Sequence, residues 1–161
     1  MNVRAPDHVF PSMDLFEIAG LPLHPLLVHA VVVLVPLTAL ALVLGALFPR
    51  VRRRLGVATP VAALLVLLLV PVTVFAGEAL AEQVGPVPAV VHHAELGRML
   101  WPWPLAMFVV AVVQWCWYRF GRAPGRAART TIAALALLSG AGSTVMVVLI
   151  GEAGARAVWG G

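Results

Sequence analysis

Histidine and glutamate side chains at the ends of apolar segments are the residues of this sequence best suited to bind a metal, a cofactor or a proton. Six of them stand out, namely His24, His29, His92, His93, Glu78 and Glu152. A neutral imidazole offers a nitrogen lone pair, and a carboxylate can bind a metal or accept the second ring N–H of a histidine. Such a set is compatible with a transition-metal ion or a haem iron, and equally with transient proton binding.

The composition determines what kind of protein must position these residues. The chain has 161 residues, of which 61% are hydrophobic and 11% charged, whereas soluble domains have about 25% charged residues. Four segments without charged residues, 26–48, 57–76, 101–118 and 130–150, approach or exceed the roughly 20 residues that a helix needs to cross a bilayer. None of them alternates with a period of two, as strands of a β-barrel would. We therefore predict an all-α membrane protein with four transmembrane helices.

Small residues and prolines inside these segments indicate how the helices pack. Pro36 and Pro71 should kink the first and second helices at positions that neighbouring helices protect. The run from Ser139 to Ser143 forms a face of small residues on the fourth helix, which allows another helix to approach closely. The partner helix is either in this chain or in a second copy.

Arginine explains the sequence pI near 11.0, since all eleven basic residues are arginine. Eight of them lie in the two loops after the first and third helices: Arg50, Arg52, Arg53, Arg54, Arg119, Arg122, Arg126 and Arg129. The rest of the chain carries three arginines and seven acidic residues. Because short arginine-rich loops stay on the cytoplasmic side, both termini should face outward. The basic character is thus a topology signal, and no nucleic-acid partner is expected.

A weak internal repeat relates the two halves of the chain. Gly77-Glu78-Ala79 follows the second helix and Gly151-Glu152-Ala153 follows the fourth, while His29 and His93 lie near the starts of the first and third. The repeat predicts a bundle of two pseudo-repeated helical hairpins in the same orientation, related by an axis along the membrane normal. Residues 1–20 would form an extracytoplasmic tail and residues 21–161 the four-helix transmembrane domain.

The helix rise places all six candidate residues in one outer layer about 10 Å thick. His29 and His93 are the preferred ligands, with His24, His92, Glu78 and Glu152 in reserve. His29 is favoured because it is the one ionisable side chain inside an apolar segment. His24 and His29 lie about 140° apart on an ideal helix, so both cannot face one ion without distortion.

A function without any cofactor is the alternative. The same side chains would then cap helix ends, contact water and pair with Arg98 or Arg156 in an accessory or interaction subunit, or in a protein that handles protons or ions. Enzyme activity is not predicted, because the sequence contains no phosphate-binding loop, nucleophile elbow or catalytic triad pattern.

Three motifs resemble a known family. Leu23-His24-Pro25-Leu26-Leu27-Val28-His29, then His93-Ala94-Glu95-Leu96-Gly97, and finally the ending that starts Gly151-Glu152-Ala153-Gly154 are similar to the bacterial membrane family catalogued as domain of unknown function 2231. The resemblance covers about residues 18–160.

The resemblance implies a four-helix domain of the bacterial cytoplasmic membrane, which in some relatives is attached to a Rieske iron–sulfur domain. Electron transfer, a haem b or metal ion, and a respiratory redox partner or homo-oligomer are the corresponding expectations. His24, His29 and His93 occupy histidine positions typical of the family. Glu152 stands where relatives often have a histidine, which favours a mixed His/Glu site over an all-histidine haem site.

Overall fold

The computed structural model of the chain describes residues 17–18, 21–121 and 125–159. Within these ranges the elements are β1 (Glu17–Ile18), β2 (Leu21–Pro22), α1 (Leu23–Leu47), α2 (Pro49–Leu55), α3 (Ala58–Val84), α4 (Pro88–Met99), α5 (Pro102–Phe120) and α6 (Arg126–Trp159). The two short strands pair antiparallel, with Ile18 opposite Leu21. The predicted tail of residues 1–20 lies outside the described residues, except for Glu17 and Ile18.

The predicted helical architecture with four apolar spans is confirmed. In the described part of the chain, four helical segments are long and apolar enough to cross a membrane: Leu23–Leu47, Ala58–Val84, Pro88–Phe120 and Arg126–Trp159. The second and fourth helices continue beyond the apolar segments 57–76 and 130–150. Alanine, glutamate and leucine, which favour helices, dominate the continuation of the second.

The third span contains a break between Met99 and Pro102, at the start of the segment that holds Pro102 and Pro104. Helix α4 begins at Pro88, which tolerates the first turn of a helix because its missing N–H has no partner there. The helix ends at Met99 because Pro102 cannot donate a hydrogen bond back to the carbonyl of Arg98. Tighter bonds bridge the break, from the Leu100 amide to the Gly97 carbonyl at 3.2 Å and from the Trp103 amide to the Leu100 carbonyl at 3.1 Å.

The four long helices form a bundle in which α1 and α5 each pack against both α3 and α6, and α4 packs against α6 and α3. Val35, Leu42, Val66, Val70 and Met107 are among the fully buried core side chains. Only 28% to 33% of each span is buried inside the protein, so large side chains such as Leu65 and Leu138 point outward. That apolar exterior requires the hydrocarbon of a lipid bilayer as its environment.

The antiparallel course of the helices creates two ends with different residues. The end that carries the start of α1, the end of α3, helix α4 and the end of α6 is called the histidine end, after His24 and His93. The opposite end carries α2, the starts of α3 and α6 and the end of α5, and it is called the arginine end.

The small-residue face of α6 is confirmed as a packing surface, and its partners lie in this chain. Ser139, Gly140 and Ser143 are buried. A Cβ atom on Gly140 would lie 3.1 Å from the Cβ of Ala39 in α1, and one on Gly142 would overlap the indole of Trp103 in α5. These glycines therefore allow α6 to approach both neighbours. Pro36 and Pro71 lie within α1 and α3, as predicted, and are half-buried.

Replacement of Gly142 by alanine tests this packing. Because the added methyl group overlaps a rigid indole, Gly142→Ala should destabilise the bundle by about 1–3 kcal/mol and lower the Tm measured in mild detergent. The matched control is Gly151→Ala on the same helix, where an added Cβ meets no atom within 4 Å. Equal Tm values for the two variants would contradict close packing of α6 against Trp103.

Candidate functional site

His24 lies in the first turn of α1 and its ring rests on α3. Its Nδ1 is 2.9 Å from the carbonyl oxygen of Thr73. A carbonyl can only accept, so Nδ1 donates the proton, and in a neutral ring Nε2 is then the nitrogen with the free lone pair. The ring fits because residue 77 is glycine: a Cβ there would lie 2.7 Å from the imidazole Cε1. Helix α3 thus fixes both the position and the tautomer of His24.

His93 lies in α4 and makes the same kind of contact with α6. Its Nδ1 donates to the carbonyl of Ile150 at 3.0 Å, and a Cβ on Gly154 would lie 3.1 Å from its Cε1. In both cases the accepting carbonyl precedes the glycine by four residues, from Thr73 to Gly77 and from Ile150 to Gly154. Each histidine therefore occupies an equivalent seat, formed by a carbonyl and the glycine one turn later, on the next membrane span along the chain.

The two seated histidines meet each other at the histidine end. Their ring centres are 6.0 Å apart and the ring planes are nearly perpendicular, at 85°. Both side chains are half-buried. The contact brings the start of α1 to α4, so each half of the chain contributes one imidazole. Two neutral imidazoles with their Nδ1 atoms occupied offer two Nε2 lone pairs to a Lewis acid.

His29, the preferred ligand of the sequence analysis, is placed elsewhere. It is exposed, and its Nδ1 donates to the carbonyl of Pro25 at 2.6 Å within its own helix. His24 occupies the position beside His93 that was expected for His29. The physical reason is the rotation of about 140° that separates residues five apart on a helix, which lets only one of the two reach α4. His92 is also exposed.

The two candidate glutamates are engaged in ion pairs rather than with the histidines. Arg98 Nε donates to Glu78 Oε1 at 2.8 Å, and Arg156 Nη2 donates to Glu152 Oε1 at 2.6 Å. Both arginines are exposed. These are the partners that the cofactor-free alternative named. Among the described residues, no group of three or more histidine, cysteine or acidic side chains is arranged to hold a metal ion.

Sequence reasoning missed the residues that seat the histidines. Gly77 and Gly154 were read only as parts of a repeat that aligned Gly77 with Gly151, whereas the histidine contacts relate Gly77 to Gly154, one helical turn later. Glycine in a helix that packs against another helix was the available signal. Thr73 and Ile150 contribute main-chain carbonyls, which side-chain identity does not reveal.

Comparisons with known proteins agree with this architecture. The family model described as a predicted membrane protein (DUF2231) matches residues 20–161. The comparison with curated proteins and the comparison with solved structures gave no match. The chain belongs to the DUF2231 family and is a multi-pass integral membrane protein.

Proposed function

We propose that this member of the DUF2231 family is a small membrane cytochrome, in which His24 and His93 would hold the iron of a haem b. The observation that carries the proposal is the pair of imidazoles 6.0 Å apart, each with its Nδ1 bonded to a main-chain carbonyl. The function would be electron transfer at the histidine end of the bundle. No catalytic residue is assigned.

The separation of the rings is compatible with one ion or group held between them. Imidazole nitrogen binds metals at about 2.0–2.1 Å, so two imidazoles on one ion have ring centres about 5 to 6 Å apart. The centres of the His24 and His93 rings are 6.0 Å apart.

The number of ligands favours haem over a bare metal ion. A structural zinc ion takes four ligands from the protein, whereas a haem brings four nitrogens of its own and needs only axial ligands. The histidine end supplies two imidazoles, and its glutamates are bound to Arg98 and Arg156. A mixed His/Glu site would require Glu78 and Glu152 to leave those ion pairs.

The hydrogen bonds on Nδ1 support a role as ligands. A histidine that binds a metal usually donates its second ring N–H to a carbonyl or carboxylate, which fixes the ring and raises the basicity of the ligating nitrogen. Thr73 and Ile150 supply such carbonyls. His24 and His93 would hold the haem, and the chemistry that such a group would supply here is electron transfer.

We further propose that the two hairpins are pseudo-repeats related through the histidine pair. The first hairpin places His24 on Gly77, and the second places His93 on Gly154. An axis along the membrane normal would then pass between the two rings. In this register Glu78 corresponds to Ala155 rather than to Glu152, so the ion-paired glutamates are not equivalent positions.

The distribution of arginine supports an orientation with the arginine end in the cytoplasm of a bacterial cell. Seven of the eight loop arginines belong to the described residues, and all seven lie at that end; Arg122 lies outside the described residues. Positive residues in short loops remain on the cytoplasmic side, so the histidine pair would face outward. A haem there would exchange electrons with an extracytoplasmic redox partner.

Absorption spectroscopy of the protein purified in mild detergent from haem-replete cells tests the haem proposal. The wild-type protein should carry near-stoichiometric haem with a Soret band that shifts on reduction. His24→Ala and His93→Ala should each lose haem or shift that band, because only one of the two histidines is left to hold the iron. His29→Ala and His92→Ala are matched controls on the same helices and should keep it.

Added imidazole distinguishes a lost ligand from a lost fold. Imidazole in the buffer should restore the Soret band of His24→Ala, since the seat on Gly77 remains open to it. A wild-type protein with neither haem nor metal by elemental analysis would overturn the proposal in favour of a cofactor-free accessory subunit. Zinc or copper in place of haem, lost in the same two variants, would overturn it in favour of a metal site.

Substitution of the seat glycine tests the positioning of His24. Gly77→Ala places a methyl group against the imidazole and should weaken haem binding roughly 10- to 100-fold, as loss of an orienting contact typically does. Gly97→Ala, where an added Cβ meets nothing within 4 Å, is the matched control. Equal haem affinity of the two variants would contradict the proposed seat.

Cysteine labelling tests the orientation. With Cys116 replaced by alanine, Gln83→Cys places a thiol at the histidine end and Gly125→Cys places one at the arginine end, both at exposed, uncharged positions. A membrane-impermeant maleimide should label Gln83→Cys in intact cells and Gly125→Cys only after permeabilisation. The reverse pattern would show that the histidine pair faces the cytoplasm.

A further inference from the structure

A cavity at the arginine end is the strongest feature that the haem proposal leaves unused. It lies between α2, α3 and α5 and has a volume of about 370 Å³. Its lining includes Arg52, Arg53, Arg119, Gln114, Trp115 and Tyr118. Pockets for small molecules and headgroups typically begin at about 300 Å³. The cavity is thus large enough for a ligand and has a strongly cationic wall.

The positive charge of this wall has no carboxylate partner in the described part of the chain. The ion pairs found there, Arg98 with Glu78 and Arg156 with Glu152, are both at the histidine end. Glu82 and Glu95 also belong to elements at that end, and Glu17 lies in β1, which pairs with the strand that leads into α1. An anion in the cavity would therefore lie beside three arginine residues, with no competing carboxylate among the described residues.

Arg52 is held in place by contacts of its own. Its Nη1 donates to the carbonyl of Gly45 at 2.9 Å, and its guanidinium carbon lies 3.5 Å from the centre of the Tyr118 ring. Burial is the main cause that lowers the pKa of Arg52, and Arg129 and Arg53 lower it further. The group stays charged at neutral pH, and a partly desolvated cation gains from a counterion.

Gln114 is a second feature of the cavity and is independent of its positive charge. Its side chain is only 4% exposed and lines the cavity, and its Oε1 is the one buried side-chain polar atom without a hydrogen-bond partner among the described residues. The amide is seated against α1, because a Cβ on Gly45 would lie 2.8 Å from Gln114 Nε2. A buried acceptor without a partner is unfavourable, and a ligand with a hydroxyl or N–H donor would supply the missing hydrogen bond.

We propose that this cavity binds a phosphate ester that carries a free hydroxyl group, with the phosphate beside Arg52, Arg53 and Arg119 and the hydroxyl donating to Gln114 Oε1. The glycerol headgroup of an anionic phospholipid has this chemistry, and so does a soluble glycerol phosphate. Basic pockets between transmembrane helices at the inner surface are established lipid headgroup sites. Trp115 and Tyr118 provide the aromatic residues typical of that depth.

The topology signal does not explain these features. Positive residues near a membrane require neither a cavity nor a buried acceptor. Arg50, Arg54, Arg126 and Arg129 serve the same orientation signal without lining the cavity, so they separate the two roles experimentally. The proposal rests on the arginine end alone and is independent of haem binding at the opposite end.

Lipid binding to the purified protein, measured by native mass spectrometry with phosphatidylglycerol and phosphatidylmethanol, tests the proposal. The two lipids have the same charge, and only the first carries headgroup hydroxyls. Wild-type protein should bind phosphatidylglycerol roughly 3- to 10-fold more tightly, as expected for one hydrogen bond. Gln114→Met, of similar size, should bind both lipids equally.

Variants that remove arginine charge test whether the cavity arginines bind the phosphate. Arg53→Gln with Arg119→Gln should weaken both anionic lipids, while Arg50→Gln with Arg126→Gln should leave their affinities and the preference unchanged. Soluble glycerol phosphate that competes with phosphatidylglycerol at equal concentration would support the same site with a soluble occupant. No preference in the wild-type protein, or the same preference in Gln114→Met, would overturn the proposal.

Discussion

The hydrocarbon interior of a bilayer offers no hydrogen-bonding partner to a protein main chain, so each spanning segment must satisfy its own N–H and C=O groups. Four long helices meet that constraint in this chain. They bury 28% to 33% of their spans against one another and leave the rest to lipid. The histidines, the ion-paired residues and the arginines of the described chain consequently lie at the two ends of the bundle. The histidines and ion pairs belong to one end and the arginine-rich segments to the other.

Both ends use glycine in the same way. A helix without a Cβ at one position lets a polar side chain of a neighbouring helix lie directly against its main chain. The pairs are Gly77 with His24, Gly154 with His93 and Gly45 with Gln114. The carbonyls of Thr73 and Ile150, one turn before Gly77 and Gly154, accept bonds from the two histidines. The carbonyl of Gly45 itself accepts a bond from Arg52. Glycine in this protein therefore serves to hold polar groups at defined positions, in addition to close helix packing.

Much of the fold can be predicted from the sequence, because the length of each apolar segment and the positions of the arginines can be read directly along the chain. The four spans, the small-residue face of α6 and the location of Pro36 and Pro71 inside helices were all predictable. Helix α4 was not, since its polar residues and the prolines at 102 and 104 interrupt the apolar pattern. Residue types alone cannot show that an amphipathic segment packs on α6.

The candidate site depended on helix rotation, which the sequence constrains only in part. The angle of about 140° between His24 and His29 indicated that one of them must be excluded, but not which one. The rule that ionisable residues inside apolar segments are functional favoured His29. The His29 ring instead donates a hydrogen bond to the Pro25 carbonyl of its own helix. Gln114 shows the opposite case: a polar residue inside an apolar segment was visible in the sequence, and its unpaired oxygen became evident only from packing.

The histidine pair also has a consequence for assembly. His24 is fixed by α3 within the first half of the chain and His93 by α6 within the second, while the contact between the rings joins the two halves. A group bound between the rings would be held by both halves at once. Ligands that bind only the folded state add to its stability. A haem in this position would therefore clamp α1 against α4, and its loss would loosen the bundle at the histidine end before the packed core around Leu42 and Met107.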